Sequence, residues 1–126
     1  MLKNLHLVIS TAVVIPIAFV YGSGNERIFT WFFDFSPQTT DMHNIFRAIM
    51  CLYLGMSALW IAGIIKQAFW KTATITNILF MASLALGRMV SFAFDGSPSI
   101  LLIIGFFGEA LLAILAFANL KKSKTT

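Results

Sequence analysis

Charged residues are so sparse in this chain of 126 residues that they leave four long apolar runs. These are Leu5 to about Tyr21, Ala48–Ile65, Ala73–Phe94 and Ile100–Leu120. The first two carry no charge, Arg88 is alone in the third, and Glu109 is alone in the fourth. A helix rising about 1.5 Å per residue needs about 20 residues to cross roughly 30 Å of hydrocarbon. Each run has nearly that length. Hydrocarbon offers no water to an unpaired peptide group, so each run must pair its own N–H and C=O groups, and an α-helix does so. The expected fold is all-α: a polytopic integral membrane protein with a four-transmembrane-helix bundle as its single domain, residues 1–126. Helices are expected at about 5–22, 42–66, 73–95 and 99–120, with an aromatic outer loop at 23–41.

Composition closes off the alternatives. Hydrophobic residues make up 59% of the chain and charged ones 11%, against about 45–50% and 25% in ordinary globular domains. A soluble domain this small has too little interior to hide that surface, including 13 Phe,. A soluble enzyme and a disordered tail are thereby excluded. The net charge of +4 does not point to nucleic acid, because the basic residues sit in loops and at chain ends rather than on one face,. The single Cys51 excludes an intramolecular disulfide,. The chain has no H-x-x-E, C-x-x-C or H-E-x-x-H spacing, no glycine-rich phosphate loop and no convincing Ser–His–Asp arrangement. No metal or other cofactor is expected.

Punctuation supports the spans. Tyr21-Gly22-Ser23-Gly24-Asn25 ends the first, and Thr39-Thr40-Asp41 offers a cap for the second,. Asp95-Gly96-Ser97-Pro98-Ser99 is a tight turn before the fourth, with Ser97 or Ser99 as its cap,. Pro16 is expected to kink the first helix,. Every lysine (Lys3, Lys66, Lys71, Lys121, Lys122 and Lys124) falls on one side of this topology, whereas Asp34, Asp41 and Asp95 fall on the other. Basic loops stay cytoplasmic, so both termini are expected on the cytoplasmic side of a cell membrane. The rival reading of the first run is a cleaved signal peptide, with Lys3 before an apolar core and small residues at Gly22-Ser23-Gly24. The thin basic region and long apolar run favour a retained span. Ile28–Phe35 is dense in aromatic rings beside charges, as in an interfacial helix, a lid over the bundle, or a simple aromatic anchor,. Trp60 and Trp70 read as belt residues near the cytoplasmic boundary, His6 as interfacial, and Cys51 as a packing residue,.

Charges inside a span cost about 2.5–3.5 kcal/mol near the bilayer centre, so they usually face the protein interior and find partners. At about 1.5 Å per residue, Arg47 lies roughly 9 Å below the outer end of its helix and Arg88 about 10 Å below Asp95. Glu109 lies roughly 15 Å below Ser99, near the midplane. Residues three or four apart share a helix face. One face of the third helix carries Asn77, Met81, Leu84, Arg88, Ser91 and Asp95. The second helix offers His43, Arg47, Cys51, Leu54 and Ala58, and the fourth Gly105, Glu109, Ala113 and Ala116. His6, Ser10, Ile17 and Tyr21 lie on one side of the first. The expected interior is polar toward the outside and apolar toward the cytoplasm, with Arg47, Arg88 and Glu109 in one layer.

Two stretches carry a family resemblance. Asn44-Ile45-Phe46-Arg47-Ala48-Ile49-Met50-Cys51-Leu52-Tyr53-Leu54-Gly55 resembles an N-x-x-R-A-x-x-G-x-Y-x-G pattern, departing from it at Cys51. Leu86–Ser91 with Asp95–Ser99 resembles L-G-R-x-x-S-x-x-x-D-G-x-P-S, and Gly108-Glu109-Ala110 matches the last helix. Both belong to the domain-of-unknown-function 4345 family of small bacterial four-helix membrane proteins. The resemblance covers most of the chain, most weakly in the first helix and loop. It implies four spans and a constellation of Arg47, Arg88, Asp95 and Glu109, and it supplies no activity.

Three functions remain open on the residues. The first is binding or transport of a small anionic amphiphile or a lipid head group in an outward-facing pocket of Arg47, Arg88, Ser91, Asp95, Glu109 and His43. Surplus positive charge there would suit a carboxylate, phosphate or sulfate. The second is a membrane-embedded enzyme with Glu109 as acid/base and an arginine as oxyanion stabiliser. The third is a structural or accessory subunit in which an Arg–Glu network locks helix register, with small-residue surfaces at Gly55, Gly63, Gly105 and Gly108. Direct Arg–Glu pairing favours the structural role, whereas a Glu109 standing free in an enclosed cavity favours chemistry. Membrane lipids are the expected surroundings, and a homo-oligomer is compatible with four short spans.

Overall fold

A computed structural model describes residues 2–125. Among the described residues the regular structure is helical: α1 (Leu5–Gly22), preceded by a 3₁₀ turn at Leu2–Asn4, then α2 (Glu26–Phe32), α3 (Thr40–Ile65), α4 (Gln67–Asp95) and α5 (Ile100–Lys124). α1 with its leading turn, α3, α4 and α5 are long and apolar enough to cross a membrane. The chain therefore has an all-helical fold with four candidate membrane spans.

The helix ends follow the local chemistry. Thr39 caps α3 by accepting a bond from the Met42 N–H at 3.1 Å,. Gly96 ends α4 at φ 92°, a left-handed conformation that favours glycine,. Ser99 is the N-cap residue of α5, although its side chain makes no cap bond. α1 runs unbroken past Pro16. The junction of α3 and α4 is tighter than expected. Lys66 alone separates them, with extended backbone, and α4 begins at Gln67 rather than near Ala73. Gly63 permits this, because a Cβ there would collide with the Ala73 methyl and approach the Phe69 carbonyl oxygen at 3.4 Å.

α1 packs along α3, α3 along α4, and α4 along α5. α1 and α5 meet sparingly, so the ring of helices is open on that side. The Asn119 side chain of α5 donates to the carbonyls of Leu2 and Lys3, and Lys3 donates to Gln67 at 2.7 Å. The start of α1, the last turns of α5 and the α3–α4 junction thus share one end of the bundle, the lysine end. The α2 segment and the α4–α5 turn occupy the opposite, aspartate end.

The buried core contains Leu7, Val14, Ala18, Tyr53, Trp60, Trp70, Ala73, Met81 and Leu112. Three assignments differ from the sequence reading. Trp60 (0% exposed) and Trp70 (3%) are core rather than belt residues. His6 is buried rather than interfacial, edge-on to Trp70. Cys51 is exposed rather than packed. The cause in α3 is rotational phase. The large rings of Tyr53 and Trp60, with Ser57 between them, turn inward and carry Cys51 to the surface. Burial is governed by how much apolar area a face removes from water, and two large rings outweigh a thiol.

Candidate functional site

The charged centre of the bundle is a two-point ion pair. Arg88 Nε donates to Glu109 Oε2 at 2.7 Å, and Arg88 Nη2 donates to Glu109 Oε1 at 2.8 Å. This fork geometry is the strong form of an Arg–carboxylate contact. The side chains are 21% and 13% exposed, so the pair is sheltered without being sealed. Gly105 lies alongside the fork on α5. A Cβ at Gly105 would lie 3.8 Å from Arg88 Nη2 and 3.9 Å from Glu109 Oε1. The short turn between α4 and α5 makes them antiparallel neighbours, which brings the two residues together.

Beside the pair opens a cleft of about 480 Å³ between α1 and α5. Its walls are apolar side chains of Ile9, Val13 and Ile17 on α1 and Leu101, Ile104 and Leu112 on α5. Tyr21, Tyr53, Arg88 and Glu109 supply its polar groups, with Leu101 and Leu102 beyond Glu109 toward the aspartate end. A second space of about 350 Å³ adjoins it there, lined by Phe46, Ser83, Gly87, Ser91 and Pro98 and sharing Tyr21, Tyr53, Leu84, Arg88 and Leu102. Arg88 therefore stands between the two.

An aromatic cluster closes the same end. Phe33 stacks on Tyr21 at 5.7 Å, Phe46 meets Tyr21 at 5.5 Å, and Phe29 meets Phe46 at 5.2 Å. Phe29 of α2 is fully buried and Phe33, just past its end, nearly so, while Trp31 is 72% exposed. Asn25 starts α2 by accepting bonds from the N–H groups of Arg27 and Ile28. The aromatic segment is thus a short helix folded back on α1 and α3.

Not every residue of the expected constellation joins it. Arg88 and Glu109 do. Ser91 donates to Asp95 Oδ2 at 2.8 Å, but this bond lies at the exposed rim and does not include Arg88. Arg47 is exposed and lies apart from the pair. With His43, it lies against Gly24, where a Cβ would come within 2.9 Å of Arg47 Nη2 and 3.4 Å of His43 Nδ1. The inward turn of Tyr53 and Trp60 accounts for this too, since Arg47 shares its face with exposed Cys51. The surplus positive charge expected in the pocket is therefore not assembled: one guanidinium faces one carboxylate.

Nor is the lysine half of the interior purely apolar, as the sequence reading had it. His6, Ser10, Thr74 and Asn77 are fully buried there. The His6 Nε2 and Thr74 Oγ1 atoms are 3.0 Å apart, and His6 Nδ1 faces Asn119 Nδ2 at 3.0 Å. Because Asn119 Nδ2 is a donor, Nδ1 is the acceptor and the proton sits on Nε2, donating to Thr74. Sequence reasoning put His6, Ser10 and Tyr21 on one side of α1 and Asn77 on the Arg88 face of α4, but it assigned none of them to a site and did not single out Tyr53 or Thr74. The chain's two tyrosines both fall within spans, and a buried phenol seeks a polar partner, which was the available signal,.

The family model described as domain of unknown function (DUF4345) matches residues 2–120. The chain belongs to this family. The DUF4345 match takes in α1, α2, α3 and α4, α5 as far as residue 120, and both members of the ion pair. Neither the curated proteins nor the solved structures contain a match to the chain. Among the described residues there is no group of three His, Cys, Asp or Glu side chains placed to hold a metal ion.

Proposed function

We propose that this DUF4345 protein binds or carries a lipophilic molecule whose tail lies in the α1–α5 cleft and whose polar head meets Arg88. The observation that supports this is an apolar cleft of about 480 Å³ whose lining includes the Arg88–Glu109 pair. A guanidinium has five N–H donors, and the fork to Glu109 engages two of its nitrogens,. The remaining donors suit a head that accepts hydrogen bonds, such as a carbonyl, ester or phosphoryl oxygen. Because Glu109 already balances the Arg88 charge, a net-neutral head fits better than the anionic one expected from sequence. Recruiting Arg47 to an anion would require a different phase of α3.

The pairing works against the enzyme reading, since Glu109 has both oxygens engaged as acceptors. It is compatible with a register lock between α4 and α5, which a ligand site here also requires. The lysine distribution supports cytoplasmic termini,. A C-terminal reporter active only in the cytoplasm tests that orientation.

The binding test is native mass spectrometry of purified protein, reading the lipophilic molecules retained. Gly108 lines the cleft, and a Cβ there meets nothing within 4 Å, so Gly108→Leu fills the cleft without crowding the bundle. Wild type should retain a bound species that Gly108→Leu and Arg88→Ala lose. Equal retention in all three refutes the reading.

A further inference from the structure

We propose a second site, independent of the cleft: a buried hydration site between Ser10 of α1, Trp60 of α3 and Asn77 of α4, which holds a water molecule. The three residues are brought to one level by the contacts beneath them. Gly63, Ala73 and Leu7 meet where α3, α4 and α1 cross, with Leu7 Cδ1 within 3.5 Å of a Cβ built on Gly63. Ser10 lies about one helical turn beyond Leu7, Asn77 one turn beyond Ala73, and Trp60 about one turn before Gly63 on a helix running the other way,. All three side chains are fully buried. Yet Ser10 Oγ, Trp60 Nε1 and both side-chain polar atoms of Asn77 have no hydrogen-bond partner in the protein.

Such a layer is costly unless something completes it, because a buried polar group without a partner has lost its hydration and gained nothing. The chemistry of the four atoms selects the guest. Trp60 Nε1 and Asn77 Nδ2 only donate, Asn77 Oδ1 only accepts, and Ser10 Oγ does both. A water molecule accepts from the indole and the amide and donates to the serine or amide oxygen. Two to four such bonds are what a buried water typically makes. A larger guest is excluded from above and below. Val14 and Met81, one turn further on, are 5% and 2% exposed, and Gly63 packs directly on Ala73 underneath. The site also extends an existing polar column. Asn119, His6 and Thr74 are already linked at 3.0 Å steps, and Thr74 lies one turn from Asn77 on the same face of α4,. Polar contacts thus run from the lysine end into the middle of the bundle and stop beneath Val14 and Met81, which separate them from the Arg88–Glu109 end.

The test is nuclear Overhauser contact between water and the Trp60 indole N–H, in deuterated full-length protein carrying ¹⁵N-labelled tryptophan in lipid nanodiscs. Trp60→Phe assigns the resonance. A direct cross-peak to the water signal is expected, persisting in Ser10→Ala and lost in Asn77→Leu. The Trp70 indole resonance, set by its contact with His6, reports that each variant has folded. Absence of the cross-peak in wild type, or its survival unchanged in folded Asn77→Leu, overturns the proposal. So does its loss in Ser10→Ala, which would assign the signal to the serine hydroxyl. A wild-type structure resolving ordered solvent gives a check that needs no variant: density between the three side chains is expected, and direct contact between them refutes the site.

Discussion

Replacing Arg88 with Leu removes a guanidinium that makes two charge-assisted bonds, at 2.7 and 2.8 Å, to one carboxylate. Bonds to charged groups contribute about 1.5–3 kcal/mol net, and orphaning one partner of a fully buried pair costs about 3–5 kcal/mol. Glu109 retains 13% exposure and Arg88 21%, so some hydration survives. The expected loss is about 2–4 kcal/mol, most of it from the stranded carboxylate rather than from missing attraction. Glu109→Leu should cost a similar amount by stranding the guanidinium. The double variant Arg88→Leu/Glu109→Leu leaves neither charge behind and should recover at least about 1 kcal/mol relative to the worse single variant. Equilibrium unfolding in mixed micelles, followed by helix content, gives the four stabilities of the cycle. A double variant no more stable than the worse single one would show that the pair is not an energetic unit.

Other expectations follow from single contacts. Gly63→Ala should destabilise the protein by about 1–3 kcal/mol through overpacking against Ala73,, whereas Gly105→Ala should stay within about 0.5 kcal/mol because its methyl meets only ordinary contacts,. The same unfolding measurement distinguishes them. Asn119→Ala removes the donor to the Leu2 and Lys3 carbonyls and to His6, so hydrogen exchange at the start of α1 should accelerate while that of mid-α4 stays unchanged. Cys51 is exposed within a candidate span, so in membranes it should react with a lipid-soluble maleimide and resist a charged one. Equal labelling by both would show that this surface faces water.

The sequence determined whatever depends on local chemistry and one-dimensional spacing. The near absence of charge from the four runs requires helices of spanning length, because the peptide groups must be paired within each run. Thr39 and Gly96 mark real helix ends because capping and positive φ are decided by a few adjacent atoms. The Arg88–Glu109 pair was also legible: two lone charges in consecutive spans joined by a short turn have few other partners within reach,. Rotational phase was not. Arg47 and Tyr53 compete for the same inward direction of α3, and periodicity shows which residues share a face without showing which face is covered. Only the assembled bundle decides that, by burying Tyr53 and Trp60 and leaving Arg47 beside Gly24. The α1–α5 cleft and the polar layer of Ser10, Trp60 and Asn77 are likewise tertiary. Each is built from helices distant in the chain, and whether they touch, as α3 and α4 do, or part, as α1 and α5 do, depends on the packing of all four long helices at once,.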